Sequence, residues 1–447
     1  MTTVLFADRD DSSLGPLAGR IVPALLPLQA VPCLERTILA LVAGGIRSVL
    51  LVTGPRATEI EKRFGKGIRW GIALEYVRRT DEESMTDVLR RITPRLDGDT
   101  VVVRGDLGVH PAVGEFLQKV DDRPEPVVAA TKNGHLAGLW RIKPEALATL
   151  ELPREPMAPD WILGAGHAAL PLEKELVLVD SIASYRAADR SEKPALSDRA
   201  EWDGTAKLLP GTTVAEEACV LAGATLAETS VLPRTVIPPK VSLSGQIVLG
   251  NLVVEPDGSL THLSDRLPPK GAVSRAGFGS RLMGAVALVF SVPLWPIALG
   301  WSAVANNGKP TRPVSLSGNA PGGGRAPFQT FAFESAVPVF RDLPLLLAVV
   351  TGELALTGVT ALPPAEESSL TEPWEKVRLE APAALLSLAR MVVPPGAHPE
   401  VARLVDSFQA RQGSPGLLAL AWKTLFSAKA WTAPKAFNPD VPPENVS

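Results

Sequence analysis

The chain has 447 residues, enough for about three domains of ~150 residues each, and 46% of them are hydrophobic. Its formal net charge is −3, from 45 basic and 48 acidic residues. That leaves no broad basic field, so no nucleic-acid partner is expected. The two cysteines, Cys33 and Cys219, form neither a metal motif nor a disulfide framework. The opening MTTVLFADRD lacks the basic and apolar regions of a signal peptide, so the N-terminal part is expected in the cytosol.

Residues 1–190 alternate short β-branched runs with helical stretches. Ser48–Thr53 and Thr100–Val103 read as buried strands, and Pro32–Ala43 and Arg56–Phe64 as helices, the first ended by Gly44-Gly45. Strands alternating with helices predict an α/β domain with a mostly parallel, Rossmann-like sheet covered on both faces.

Six stretches in order, Leu14-Gly15-Pro16-Leu17, VPALLPLQAVPCLERTILALVAGGIRSVLLVTGPRATEIEKRFG, RWGIALEYV, VVVRGDLGVHP, GLWRIKPEALATL and VDSIASYRAA, resemble the sugar-nucleotide nucleotidyltransferases. That resemblance implies a cleft for a nucleoside triphosphate and a sugar phosphate. It also implies two carboxylates, Asp106 and Asp180, that would hold Mg²⁺, a hard cation that takes oxygen ligands. Without the resemblance, Asp106 is a loop aspartate at a strand end and Asp180 begins a turn. The family's glycine-rich phosphate loop with its arginine reads Asp8-Arg9-Asp10-Asp11-Ser12-Ser13 here, and its lysine position is Ala24. Carboxylates where phosphates should lie oppose their binding.

In 208–256, Val214, Val220 and Leu226 recur every six residues. Hexapeptide periodicity predicts a short left-handed parallel β-helix, with a plain β-sandwich linker as the alternative. Such a coil stacks on a copy of itself, making an oligomer, or caps a catalytic domain. His262, just beyond it, reads as a surface residue.

Arg281 is followed by 24 uncharged residues, LMGAVALVFSVPLWPIALGWSAVA, with Pro293 and Pro296 in the middle. Roughly 20 apolar residues suffice to cross a bilayer, but proline removes a backbone donor and kinks a helix. The segment 282–305 therefore reads as a kinked span or as a re-entrant helix bent at Ser291-Val292-Pro293. A re-entrant course keeps 1–270 and 310–447 on one cytoplasmic face. Residues 306–327, with Gly322-Gly323-Gly324, read as a flexible loop, and 432–447 as a disordered tail.

Together with FQTFAFES, RDLPLLLAVVTGELALTGVTALPPAE and SPGLLALAWKTLFSA, this apolar segment makes 275–430 resemble the bacterial sugar transferases, the monotopic phosphoglycosyl transferases. These move a phosphosugar from a nucleotide sugar to polyprenyl phosphate, so the resemblance implies those ligands and a place on the inner leaflet. The family's Asp-Glu dyad, an aspartate nucleophile and a glutamate that binds Mg²⁺, reads Arg341-Asp342. Arginine stays protonated and cannot attack phosphorus. Asp342 remains as a weak metal-ligand candidate, or as half of an ion pair. The family's earlier cations correspond to Ala332 and Glu334, and its phosphate motif to Gly358-Val359-Thr360-Ala361.

Three readings stay open. One is a pseudoenzyme that scaffolds or regulates lipid-linked glycan assembly beside other glycan enzymes. Another is an active transferase with altered residues. The third is a nucleotide-sugar sensor.

Overall fold

A computed structural model describes residues 1–9, 11–106, 110–132, 135–152, 167–173, 179, 181–269, 278–305, 309–413, 418–419, 422 and 425. Asp180 and the tail 432–447 lie outside them, as does most of the expected C-terminal helix. The described residues divide into two compact units, the first Met1–Ser197 and the second beginning at Asp198.

In the first unit, β1 (Thr2–Ala7), β2 (Ser48–Thr53), β3 (Ala73–Arg78) and β4 (Thr100–Arg104) run parallel in the order β3-β2-β1-β4. β5 (Val127–Lys132), β6 (His135–Ile142) and β7 (His167–Pro171) extend the sheet as β6-β5-β7, with β6 antiparallel to β4. Successive strand residues point to opposite faces, so each strand feeds two cores. Leu5, Leu51 and Val103 face α1 (Cys33–Ala43), α2 (Ala57–Phe64) and α4 (His110–Val120) through Leu34, Phe64 and Phe116. Val4, Phe6, Leu50 and Val102 face α3 (Met85–Ile92) through Val88 and Leu89. Helices thus cover both faces of a mixed sheet whose first four strands are parallel, the α/β class read from the sequence. A further helix, α5 (Ile182–Asp189), brings the Asp189 carboxylate to the Gln29 N–H at 2.6 Å.

The second unit opens with a coil of three parallel ladders. β8 (Glu201–Trp202), β11 (Cys219–Val220) and β14 (Val236–Ile237) form one, and β9 (Lys207–Leu208), β12 (Thr225–Ala227) and β15 (Ser242–Ser244) the next. β10 (Thr213–Val214), β13 (Ser230–Val231) and β16 (Ile247–Leu249) lie in the third. Glu201 pairs with Cys219, 18 residues on, whereas Cys219 pairs with Val236, 17 on. The turn of three strands shortens by one residue, which is why the six-residue spacing lapses after Leu226. Val214, Val220, Leu226, Val231 and Ile237 all point inward and are fully buried. The antiparallel hairpin β17 (Leu252–Val254) and β18 (Leu260–His262) pairs onto β16. That occupies an edge which would otherwise invite another chain.

α6 (Phe278–Ser291) and α7 (Leu294–Ala305) follow, bent by 68° at 292–293. Pro293 cannot donate the bond that would continue α6. The Ser291 hydroxyl donates to the Leu288 carbonyl (2.8 Å) and accepts from Trp295 Nε1 (3.1 Å), tying the two helices at the bend. No single helix among the described residues is long and apolar enough to cross a membrane. Among the described residues only the bent pair passes, by length and composition.

The expected flexible loop over 306–327 is corrected for residues 311–327. β19 (Thr311–Asn319) and β20 (Arg325–Phe333) form a nine-pair antiparallel hairpin from Thr311↔Phe333 to Asn319↔Arg325. Gly323 and Gly324, both at positive φ, supply the turn. The glycine run that suggested flexibility is the hairpin's tip. α8 (Pro338–Asp342) and α9 (Leu345–Thr351) lead into a parallel sheet of β21 (Ala355–Thr357), β23 (Ala383–Leu386) and β22 (Val359–Thr360), with β23 central. α6 lies close on α9: a Cβ at Gly284 would sit 2.5 Å from Val349 Cγ1. Finally α10 (Leu388–Val392) and α11 (Pro399–Gln412) pack on the first coil ladder through Cys219, Leu221, Val236, Val401 and Val405. Coil and C-terminal sheet therefore share one unit.

Candidate functional site

Ligands of open α/β sheets bind outside the carboxyl ends of the strands. Four charged side chains meet there. Asp8 follows β1, Arg79 follows β3, Arg104 ends β4, and Asp106 comes two residues later. Asp8, Arg104 and Asp106 are all buried. The intervening Gly105 has no room for a side chain, since a Cβ would meet Leu34 Cδ1 at 2.7 Å and Leu5 Cδ1 at 2.9 Å.

Arg104 is the centre of the cluster. Its Nε and Nη2 donate to the two oxygens of Asp106, at 3.1 and 2.8 Å. Its Nη1 donates to Asp8 Oδ1 at 3.0 Å. Arg79 Nε lies 2.9 Å from the other Asp8 oxygen, and its Nη2 reaches the Asp8 carbonyl at 3.3 Å. The Arg9 N–H donates to Asp106 Oδ2 at 3.0 Å, and the Arg9 side chain reaches the Val179 carbonyl. Burial raises the Asp8 carboxyl above its ordinary 3.8, opposed first by Arg104, and Asp106 adds to the rise.

The family resemblance implies Mg²⁺ held by Asp106 and Asp180; Asp180 lies outside the described residues, and Asp106 is already engaged by the protein. Both Asp106 oxygens already accept from Arg104. Among the described residues of the cluster, two carboxylates and two guanidiniums sum to zero, so Asp8 and Asp106 offer a cation no net negative charge of their own. No group of three or more His, Cys, Asp or Glu side chains that could hold a metal occurs among the described residues. Ala24, at the family's lysine position, is buried in the apolar core.

In the second unit, Arg341 and Asp342 bond each other on α8, at 2.9 and 3.2 Å. Arg390 Nη1 stands 3.6 Å from Asp342 Oδ2. The Asp342 bonds hold the Arg341 guanidinium above its ordinary value, so it stays charged. The stretch at the place of the phosphate motif is tied to a buried pair: Arg378 Nη2 donates to Asp406 at 2.7 Å and to the Thr360 carbonyl at 2.6 Å. Gln409 Nε2 donates to the Gly358 carbonyl at 2.7 Å. The Thr360 N–H, the kind of donor a phosphate takes, is turned to the Asp406 carboxylate at 3.3 Å.

Sequence reasoning placed Asp106 correctly at a strand end but missed Arg79, Arg104 and the Arg378–Asp406 pair. A signal for Arg104 was present. A charge ending the apolar run TVVV, two residues before the aspartate, can bury only with partners.

Burial pushes the Cys33 thiol in α1 up to about 12. The folded value exceeds the ordinary 9.0, so the contribution of this thiol to stability is complete below pH 9.0 and lost as pH rises toward 12. At pH 8, a thiol reagent is expected to label Cys33 only after unfolding. Rapid labelling of native protein at Cys33 would contradict this burial.

No protein-family model matches the chain. A glucose-1-phosphate thymidylyltransferase from a species of Actinoplanes is 26% identical over 154 residues, 34% of this chain and 48% of that protein. The similarity falls in the N-terminal region, and the chain spans about half the length of that relative. A Bacillus anthracis structure described as a glucose-1-phosphate thymidylyltransferase in complex with sucrose is 13% identical. It covers 42% of this chain and 94% of that chain, at a TM-score of 0.37.

Proposed function

We propose that the chain is a non-catalytic member of a sugar-nucleotide pathway, a nucleotidyltransferase-like domain joined to a membrane-resting unit that scaffolds or regulates lipid-linked glycan assembly. The observation that carries this reading is Arg104, whose guanidinium fills the space between Asp8 and Asp106. A fixed internal cation in that place leaves no carboxylate face for a metal-bound triphosphate. The Arg341–Asp342 pair supports the same reading for the second unit, because a nucleophile is needed for covalent phosphosugar transfer and a guanidinium is not one. We further read the coil as a left-handed β-helix, and the bent helix pair as re-entrant in the inner leaflet.

Within this reading the N-terminal cleft is a shape kept for contact, and glucose 1-phosphate with a thymidine nucleotide is the first ligand pair to try. Purified full-length protein in detergent is expected to release no pyrophosphate from that pair with Mg²⁺. It is also expected to transfer no label from nucleotide sugars to polyprenyl phosphate, with active enzymes of both families run beside it. Turnover in either assay would sink the non-catalytic reading. Binding of a nucleotide sugar without turnover would convert the scaffold into a sensor.

A further inference from the structure

Where the coil corner Pro239–Ser242 meets the end of α11, the second unit holds an open cavity of ≈ 480 Å³. Cavities that bind small molecules run from roughly 300 to 1,000 Å³. Three cations line this one: Lys240 from the coil, Arg266 from just past the coil hairpin, and Arg411 from the last turn of α11. Ser242 and Gln412 add polar groups, and Phe408 closes an apolar wall.

The cations are not all spent on the protein. Arg266 pairs with Glu255 at 3.1 Å and donates from Nη1 to the Ser242 carbonyl at 3.2 Å, and Arg411 pairs with Glu380 at 3.2 Å, so the charge left over is that of Lys240. The Arg411 Nε–H has no acceptor among the described residues. The exposed Lys240 ammonium has no ion-pair partner among the described residues. Three cations against two carboxylates leave one positive charge at the cavity. That residual charge beside two further guanidiniums gives the cavity a positive local field that favours an anion. The left-handed backbone of Lys240 does not bear on this, because Glu217, Glu228 and Arg234 share it elsewhere in the coil.

We propose that this cavity binds a diphosphate group through Lys240, with Arg266 and Arg411 lining the site beside it. A diphosphate offers enough oxygens for the three cations, and guanidinium–phosphate pairs are among the stronger hydrogen bonds. The site belongs to the junction of coil and C-terminal sheet, and it stands whether or not either transferase-like domain turns over.

The test is calorimetric titration of the full-length protein in detergent with sodium pyrophosphate at low salt. The variant is Lys240→Glu. Because glutamates at other positions in the coil already hold the same backbone, this change is expected to leave the melting temperature in place. The wild type should bind, and Lys240→Glu should bind about tenfold more weakly or worse, the scale of one charge-assisted contact. Gln412→Leu, which keeps all three cations and gives up the amide bond to the Pro239 carbonyl, should bind within about threefold of the wild type if charge carries the site. No binding by the wild type, or equal binding by wild type and Lys240→Glu, overturns the proposal. Nanodiscs separate the sources of the diphosphate. Pyrophosphate binding lost in neutral discs doped with a lipid diphosphate but kept in undoped ones identifies a lipid headgroup as the occupant. Equal binding in both identifies a soluble ester.

Discussion

Replacing Arg104 with alanine is expected to destabilise the protein by about 3–5 kcal/mol, the cost of removing one partner from a buried ion pair. The loss should be read as a lower urea midpoint. The guanidinium satisfies both oxygens of Asp106 and one of Asp8, so its removal leaves two buried carboxylates facing a void. Those carboxylates would then accept protons or a divalent cation. Mg²⁺ should therefore raise the melting temperature of Arg104→Ala, by mass action on the folded state, while leaving the wild type unmoved. Arg104→Lys keeps a cation but not the fork. It should fall between the two in stability, and it keeps the test usable if the alanine variant does not fold. A wild type stabilised by Mg²⁺ would remove the basis for a closed site.

The second large effect concerns the bent helix pair. Phe290 is 80% exposed and Val304 87% exposed, and Phe278, Val289 and Trp301 are exposed as well. Monomeric soluble proteins rarely present apolar patches of that extent. An aspartate at the centre of a lipid-embedded helix costs about 2.5–3.5 kcal/mol, which is about a hundredfold in partitioning. Phe290→Asp should thus shift the protein from the membrane fraction to the supernatant, with Phe290→Leu unchanged as the control. If Phe290→Asp stays in the membrane fraction at the wild-type level, the leaflet does not cover this surface. A change of oligomeric state without a change of fraction would assign the face to a second copy of the chain.

Much of the fold was legible because it is written in local periods. The runs SVLLVT and TVVVR show a strand buried on both faces. Val214, Val220 and Leu226 mark the coil, and Pro293 marks the break in an uncharged stretch. Each signal lies within a window of about twenty residues and follows from backbone geometry alone. The hairpin over 311–333 is not legible in the same way, because the glycines of 306–327 read as a flexible composition whereas they form one turn between two paired strands.

The candidate site was legible only in part, for a different reason. Asp106 could be placed at a strand end, but Asp8 and Arg104 stand 96 residues apart, and their 3.0 Å contact exists only because β1 and β4 are neighbours. Whether a carboxylate waits for a metal or is already neutralised depends on that neighbour. The same holds for the packing of Val401 and Val405 on Cys219 and Val236, and for the convergence of Lys240, Arg266 and Arg411. By itself the sequence determined which segments are strands, coil turns and apolar helices, since those depend on near neighbours along the chain. Only the tertiary structure decided which charges meet, because electrostatic partners are chosen by distance in space, and a buried charge takes the partner that the fold delivers.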